Sequence, residues 1–266
     1  MKKSFIAIAI AVLLVVSVSG CIIVSSPEIP TNNTTATPPT PTPRPTATPL
    51  PSPSPKPTST PKPTPIPTPT PTPVPPGSYL FLGPTWSVSK YPHGVPYVIN
   101  PKNAWVFELN ESAVVSAIKN SFETWNTAVG FELFNRTPTI DYTATSRSDN
   151  RNVVSWEVVN EYNALAITKY WGTENGEMLE CDLVFNINVK WGIDADGEGL
   201  AYRLYGETFD IQSVSTHEIG HWAGLADIYN SAYSTVTMFW QCDAGATYFL
   251  SLTSSDTTGV RLLYAS

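Results

Sequence analysis

Two histidines and a glutamate stand together in the stretch "THEIGHWAGLADIY", residues 216–229. Positions four apart lie on the same face of a helix, so the imidazoles of His217 and His221 can meet at one metal ion. Zinc accepts neutral imidazole, and a catalytic zinc site needs three protein ligands and one position for water. Glu218 follows the first histidine and is placed to act as a base on that water. The spacing therefore predicts a hydrolytic zinc site on a helix.

The third zinc ligand has few candidates. No glutamate and no histidine follows His221, which excludes a downstream glutamate ligand. Gly224 can adopt a positive φ and turn the chain back toward the metal, as in the pattern H-E-x-x-H-x-x-G-x-x-H. Asp227 occupies the last position of that pattern, and a carboxylate oxygen is an accepted zinc ligand. We predict Asp227 as the third ligand. The alternatives are Asp243, Asp256 and the distant His93.

Hydrophobic periodicity predicts the helices that carry these residues. Apolar side chains three and four residues apart predict a helix between Asn110 and Gly130, which can cap its two ends. Asp210 can cap the start of the helix with the metal motif, and we expect that helix to be enclosed by the protein. Thr253 and Asp256 can form a capping box for a last helix.

Short β-branched and aromatic runs predict the strands. These runs are residues 94–100, 131–134, 139–145, 152–159, 163–171 and 176–187. Helices and strands follow one another without a regular alternation, and the chain has no internal repeat. We therefore expect one mixed α+β domain over residues 78–266.

The first 77 residues have a composition that does not form a core. "MKK" and the uncharged apolar run after it predict a secretory signal peptide, residues 1–20. The residues "VSG" before Cys21 resemble a lipoprotein cleavage site, which predicts a lipid on Cys21 and an anchor segment, residues 21–26. An uncleaved signal anchor is the alternative. Residues 27–77 hold 21 of the 26 prolines and predict an extended stalk. We expect the folded domain on the outer face of the cell membrane.

Charge and cysteine usage limit the partners. Residues 78–266 carry 10 Lys and Arg against 21 Asp and Glu, which argues against nucleic acid. With Cys21 assigned to lipid, Cys181 and Cys242 remain as a pair in an oxidising compartment, which predicts a disulfide. We expect a monomer whose partners are the membrane and a polypeptide substrate.

One acidic run is a candidate calcium site. "DADGEG" offers Asp194, Asp196 and Glu198 within five residues. The run does not fit an EF-hand, because Tyr205 stands where that loop needs a bidentate acid. A solvated acidic loop is the alternative.

The folded part resembles the matrixins, the metzincin zinc peptidases related to matrix metalloproteases. The resemblance covers most of residues 90–264. It is carried by "HEIGHWAGL", "FDIQSVST", "GEMLECDLVFN", "TVTMFW" and "LSLTSSDTTGVRLLY". It implies a twisted mixed sheet with a backing helix, an active-site helix and a C-terminal helix, and it places Met238 in a Met-turn beneath the zinc. Aspartate at position 227 resembles snapalysin, a small secreted metzincin.

The same resemblance implies an activity. The chain would be a zinc endopeptidase with Glu218 as general base and one catalytic zinc; calcium is a further candidate ion. Its substrate would lie as an extended strand along "ALAIT", which comprises Ala164, Leu165, Ala166, Ile167 and Thr168. Phe239 and Trp240 suggest an apolar wall beyond the Met-turn. The alternative is a catalytically inactive surface binding or adhesion protein with the same fold.

Overall fold

The computed structural model describes most of the predicted folded domain. The described residues are 78–161, 163–194 and 208–265. The predicted signal peptide, Cys21 and the stalk lie outside them, as do Asp196 and Glu198 of the acidic run. No helix in the described part of the chain has both the length and the hydropathy to cross a membrane.

The α-helices of the described residues each begin directly after the predicted N-cap residue. They are α1 (Glu111–Val129), α2 (Ile211–Trp222) and α3 (Ser254–Tyr264). The side chains of Asn110 and Asp210 each accept a hydrogen bond from the amide three residues later, which satisfies a free donor at the helix start. Gly130 ends α1 in the left-handed conformation, with φ 84°. Thr253 and Asp256 form the predicted capping box.

The strands of the described residues form one larger sheet and two small ones. They are β1 (Leu80–Phe81), β2 (Val98–Ile99), β3 (Thr139–Ile140), β4 (Val153–Glu157), β5 (Ala166–Gly172), β6 (Met178–Asn186), β7 (Lys190–Gly192), β8 (Thr208–Asp210) and β9 (Leu225–Ala226). The larger sheet has the order β3-β2-β4-β6-β5. Its neighbours are parallel except β5, which runs antiparallel to β6. β5 is therefore an edge strand, with no partner strand on its outer side among the described residues.

Helix α2 lies in the middle of the core. It contacts α1 and the strands β5 and β6, and all of its residues except Gln212 are buried. The indole Nε1 of Trp125 in α1 donates to the carbonyl of Thr216 at 2.8 Å, and the hydroxyl oxygens of Ser121 and Ser215 are 2.6 Å apart. The prediction that this helix is enclosed is confirmed. The sheet and the three helices fit a matrixin fold, as the sequence predicts.

The predicted strand at 131–134 is wrong. Only Phe134 in this run forms a bridge, an isolated one with Val95. The amide of Phe134 donates to Oδ1 of Asn126 in α1, and the carbonyl of Phe134 accepts from Nδ2 of the same side chain, each at 2.9 Å. A helix side chain thus satisfies the backbone groups that a neighbouring strand would otherwise pair.

The predicted disulfide between Cys181 and Cys242 is also contradicted. Both residues are buried free thiols. Cys181 is fixed within β6, where it pairs with Tyr170 of β5. Cys242 lies in the segment after Met238, and its sulfur contacts the carbonyl of Asp243 at 3.6 Å. Each thiol packs in the core without the close approach that a disulfide requires.

Candidate active site

A backbone carbonyl holds Nδ1 of each histidine in helix α2. The Nδ1 atom of His217 is 2.7 Å from the carbonyl oxygen of Thr237, and that of His221 is 2.9 Å from the carbonyl oxygen of Leu225. A carbonyl only accepts, so each Nδ1 carries the proton and donates it. In the neutral form of each ring the lone pair is therefore on Nε2. Backbone acceptors of this kind fix the ring orientation of metal-binding histidines.

The turn after α2 brings Asp227 to the same point. Gly224 has φ 93°, and a Cβ there would lie 3.1 Å from the carbonyl oxygen of Pro84, so the turn favours glycine. Oδ1 of Asp227 then lies 3.2 Å from Nε2 of His217 and 3.5 Å from Nε2 of His221. The predicted glycine turn is confirmed in its geometry.

The three side chains suit a bound cation. One ligand atom from each of His217, His221 and Asp227 lies within 4.8 Å of the others, and all three residues are buried. Both Nε2 atoms are buried and face Oδ1 of Asp227. Buried nitrogen lone pairs that face a carboxylate oxygen form a donor set that zinc accepts. The residues present thus fit the metal that the sequence predicts.

The electrostatics of the site favour exchange of a proton for a metal ion. Burial lowers the pKa of both imidazoles, and at His221 this effect prevails and brings the pKa to about 4. At His217 the burial is outweighed by the adjacent Asp227 carboxylate, so the pKa rises to about 9. A metal-binding imidazole must be neutral, so a cation that binds here would displace the proton of His217.

Glu218 is buried beside the first histidine. Its exposed fraction is 0 %. Its Oε2 accepts a hydrogen bond of 2.9 Å from the hydroxyl of Thr168 in β5. The structure therefore brings the predicted base, the two histidines and the aspartate together. Sequence reasoning placed Thr168 on the substrate strand but missed its hydroxyl contact.

Met238 packs directly against the helix that carries the histidines. A Cβ on Gly220 would come within 2.2 Å of the Met238 sulfur, so the glycine allows the methionine to approach α2 closely. The amide of Ile228 donates to the Met238 carbonyl at 2.8 Å, which ties the segment of Asp227 to this turn. Met238 lies in a turn next to α2, where the resemblance places the Met-turn.

Asp256 has a second contact that its role as a helix cap did not reveal. Its carboxylate accepts hydrogen bonds from the amides of Thr237 and Met238, at 3.1 and 3.2 Å, as well as from Thr253. The same turn supplies the carbonyl of Thr237 that orients His217. Asp256 thus connects the C-terminal helix to the candidate metal ligand His217. The capping pattern could locate this residue, but nothing in the sequence pointed to the turn.

The predicted substrate residues lie in the edge strand β5 and directly before it. Ala164, Leu165, Ala166, Ile167 and Thr168 are all buried, and the last three belong to β5. This strand passes beside α2, because Thr168 contacts Glu218. Edge strands are the part of a sheet that can pair with an extended peptide.

Aromatic side chains border the site on the side of the Met-turn. Phe239 is buried, and Trp240 packs against Tyr229 with ring centroids 5.7 Å apart. Tyr229 is 67 % exposed, and its hydroxyl donates a long hydrogen bond of 3.4 Å to Oδ2 of Asp227. The apolar wall predicted from Phe239 and Trp240 stays a prediction, and Tyr229 is an aromatic neighbour that the sequence did not single out.

The remaining candidate ligands are not part of the cluster in the described residues. His93 is exposed in the turn before β2, and its carbonyl accepts a hydrogen bond from Asn135. Asp243 is exposed, and Asp256 faces the amides of the Met238 turn. Of the ligands considered from sequence, the described structure groups only His217, His221 and Asp227.

The fold and the site together define a metallopeptidase of mixed α+β architecture, with the metal motif on an enclosed helix. The family model for Matrixin matches residues 86–265 of the chain. The chain therefore belongs to the matrixin family, whose members are metalloendopeptidases with a catalytic zinc. A search of the curated proteins found no match.

Proposed function

We propose that the chain is an active zinc endopeptidase with His217, His221 and Asp227 as ligands and Glu218 as general base. The observation that carries the proposal is the meeting of two imidazole Nε2 atoms and one carboxylate oxygen within 4.8 Å, next to a buried glutamate. Glu218 also favours a catalytic over a structural metal site, because a structural site needs no additional carboxylate beside its ligands.

Each residue of the site would have a distinct role in peptide hydrolysis. His217, His221 and Asp227 would hold a zinc ion, which would lower the pKa of a water molecule and polarise the scissile carbonyl. Glu218 would take the proton from that water and pass it to the leaving amine. The backbone carbonyls of Thr237 and Leu225 hold the two imidazoles in the tautomer that offers Nε2. Asp227 supplies one negative charge, which leaves the site less positive than three neutral histidines would.

The substrate would bind as an extended strand along the outer edge of β5. Main-chain hydrogen bonds to residues 164–168 would hold it in register, and side-chain pockets would set its preference. The aromatic side chains of Tyr229, Trp240 and Phe239, which pack in sequence from the Asp227 carboxylate, would favour apolar substrate residues.

The location of the enzyme is a separate part of the proposal. Lipid on Cys21 and the stalk of residues 27–77 would hold the domain at the outer face of the membrane. The sequence "VSGC" supports this, and the uncleaved signal anchor is the competing attachment. Cys21→Ser should release the protein into the medium or leave the precursor uncleaved. Normal processing and attachment of the variant would contradict lipidation.

The activity is tested with the full chain extracted from membranes. The protein is incubated with a mixed peptide library before and after treatment with a zinc chelator, and again after zinc is restored. We expect internal peptide bonds to be cut, the cleavage to stop with the chelator, and zinc to restore it. A protein that binds one zinc per chain but cuts no peptide would instead support the inactive binding protein.

A further inference from the structure

Thr168 joins the edge strand to the proposed general base. Its side chain is 1 % exposed, in the middle of β5. The hydroxyl Oγ1 lies 2.9 Å from Oε2 of Glu218 and 3.1 Å from the backbone oxygen of the same residue. The two residues are 50 positions apart in sequence, so this contact is a feature of the tertiary fold.

The carboxylate is the stronger of the two acceptors. A hydroxyl has one hydrogen to donate, and hydrogen bonds to an ionised acceptor are shorter and stronger than those to a neutral carbonyl. The carbonyl of Glu218 lies inside α2, where it also serves the helix's own hydrogen-bond ladder. The hydroxyl of Thr168 therefore donates its hydrogen to Oε2 of Glu218.

We propose that Thr168 is a positioning residue for Glu218, which fixes the orientation of the carboxylate through the hydrogen bond to Oε2. This inference rests on the proposed function, in which Glu218 is the base. A carboxylate held through one oxygen cannot rotate freely, and a fixed orientation is what a general base needs.

The position of Thr168 links substrate pairing to the base. Its backbone is held by pairing with Leu183 of β6, and the outer side of β5 is the edge on which the substrate would lie. Thr168 thus belongs to the strand along which the substrate would lie, and it contacts Glu218 through its side chain. Displacement of the strand would move the carboxylate with it.

The test distinguishes the effect of the Thr168 hydroxyl from the effect of the side-chain shape. Thr168→Val keeps the shape and the β propensity but has no donor, whereas Thr168→Ser keeps the donor. In the full chain loaded with zinc, we expect Thr168→Val to lower kcat by at least about tenfold with little change in KM. Thr168→Ser should restore most of kcat, and both variants should keep one zinc per chain.

A structural readout accompanies the kinetics. Crystal structures of the native chain and of Thr168→Val should show the Glu218 carboxylate in one orientation in the first and rotated or disordered in the second. Ser121→Ala is the matched control, because it also removes a buried hydroxyl beside α2. It should lower the unfolding temperature but leave kcat and KM unchanged. If Thr168→Val does not fold, Thr168→Ala replaces it with the same expected loss of kcat.

The outcomes distinguish this inference from the proposed function. Glu218→Gln is measured in the same assay. If that variant loses activity while Thr168→Val keeps near-native kcat, the positioning role is wrong and the peptidase mechanism stands. Equal losses in Thr168→Val and Thr168→Ser would also overturn the positioning role, since the hydroxyl would then not matter. If Glu218→Gln keeps full activity, the proposed function itself fails.

Discussion

Oδ1 of Asp227 lies 3.2 Å from Nε2 of His217, across the turn that ends the metal-motif helix. The carboxylate is therefore part of the candidate metal cluster. Its position follows from two features, the positive φ at Gly224 and the hydrogen bond that ties Ile228 to the Met238 carbonyl. The candidate site is thus formed by the turn after the helix as much as by the helix.

Replacement of Asp227 tests whether this residue binds zinc or only shapes the loop. Asp227→Ala leaves two imidazoles, so we expect zinc affinity to fall by orders of magnitude and peptide cleavage to stop. Asp227→His should retain one zinc per chain, because it restores three protein ligands. Zinc affinity is measured by competition with a chelator of known affinity.

His93→Ala is the control for the Asp227 variants. His93 is exposed and lies outside the cluster in the described structure, so its loss should change neither zinc affinity nor cleavage. Near-native zinc binding by Asp227→Ala, together with loss of zinc in His93→Ala, would show that the third ligand is misassigned.

Loss of the Asp256 carboxylate should lower both the unfolding free energy and the zinc affinity. Asp256→Ala leaves the buried amides of Thr237 and Met238 without their acceptor, which should cost about 2–4 kcal/mol of unfolding free energy. Because Thr237 also orients His217, zinc affinity should fall as well. Asp243→Ala, at an exposed aspartate on the same segment, should change neither quantity. Unchanged zinc affinity in Asp256→Ala would contradict the connection.

The stability of the domain should depend on the protonation of Asp182. Burial raises the pKa of its carboxyl from 3.8 to about 7, although the amides of Val153 and Arg147 donate to it. The folded chain therefore binds this proton more tightly than the unfolded chain. Unfolding free energy should consequently fall as the pH rises from about 4 to about 7, by at most about 4 kcal/mol.

Asp182→Asn isolates this contribution, because the amide does not titrate. The difference in unfolding free energy between the native chain and the variant is measured by denaturant titration at several pH values. We expect the difference to shift in favour of the variant as the pH rises. A difference that stays constant across the range would show that Asp182 has an ordinary pKa.

The two buried cysteines should be free thiols in the purified protein. Burial raises the pKa of the Cys181 thiol well above its usual value, which makes the reactive thiolate rare. Alkylation should therefore label Cys181 and Cys242 only after the protein is unfolded, without any reductant. A mass lower by two hydrogens and no labelling before reduction would establish the disulfide that the cysteine count suggested.

The helices and the metal motif could be read from the sequence because their signals are local. Asn110 and Asp210 are capping residues that act on amides three positions away. His217 and His221 share a face through helix geometry alone. The extent of strands is less local: the run at 131–134 has strand-like residues, but Asn126 bonds the backbone of Phe134.

The features that the sequence did not show depend on contacts between distant segments. The hydroxyl of Thr168 reaches Glu218 only because β5 packs beside α2, and Asp256 reaches the Met238 turn only after the C-terminal helix has docked. The predicted disulfide was wrong for the same reason, since an even number of cysteines does not say where two thiols lie in the core.

The most direct test of the account is a paired measurement on Glu218→Gln. The amide keeps the shape of the side chain but cannot take a proton, and the three ligands are untouched. We predict one zinc per chain in both proteins and a fall in peptide turnover of at least about a hundredfold in the variant. Glu174→Gln, at an exposed glutamate, should behave like the native chain. Near-native turnover in Glu218→Gln with zinc bound would contradict the proposed mechanism.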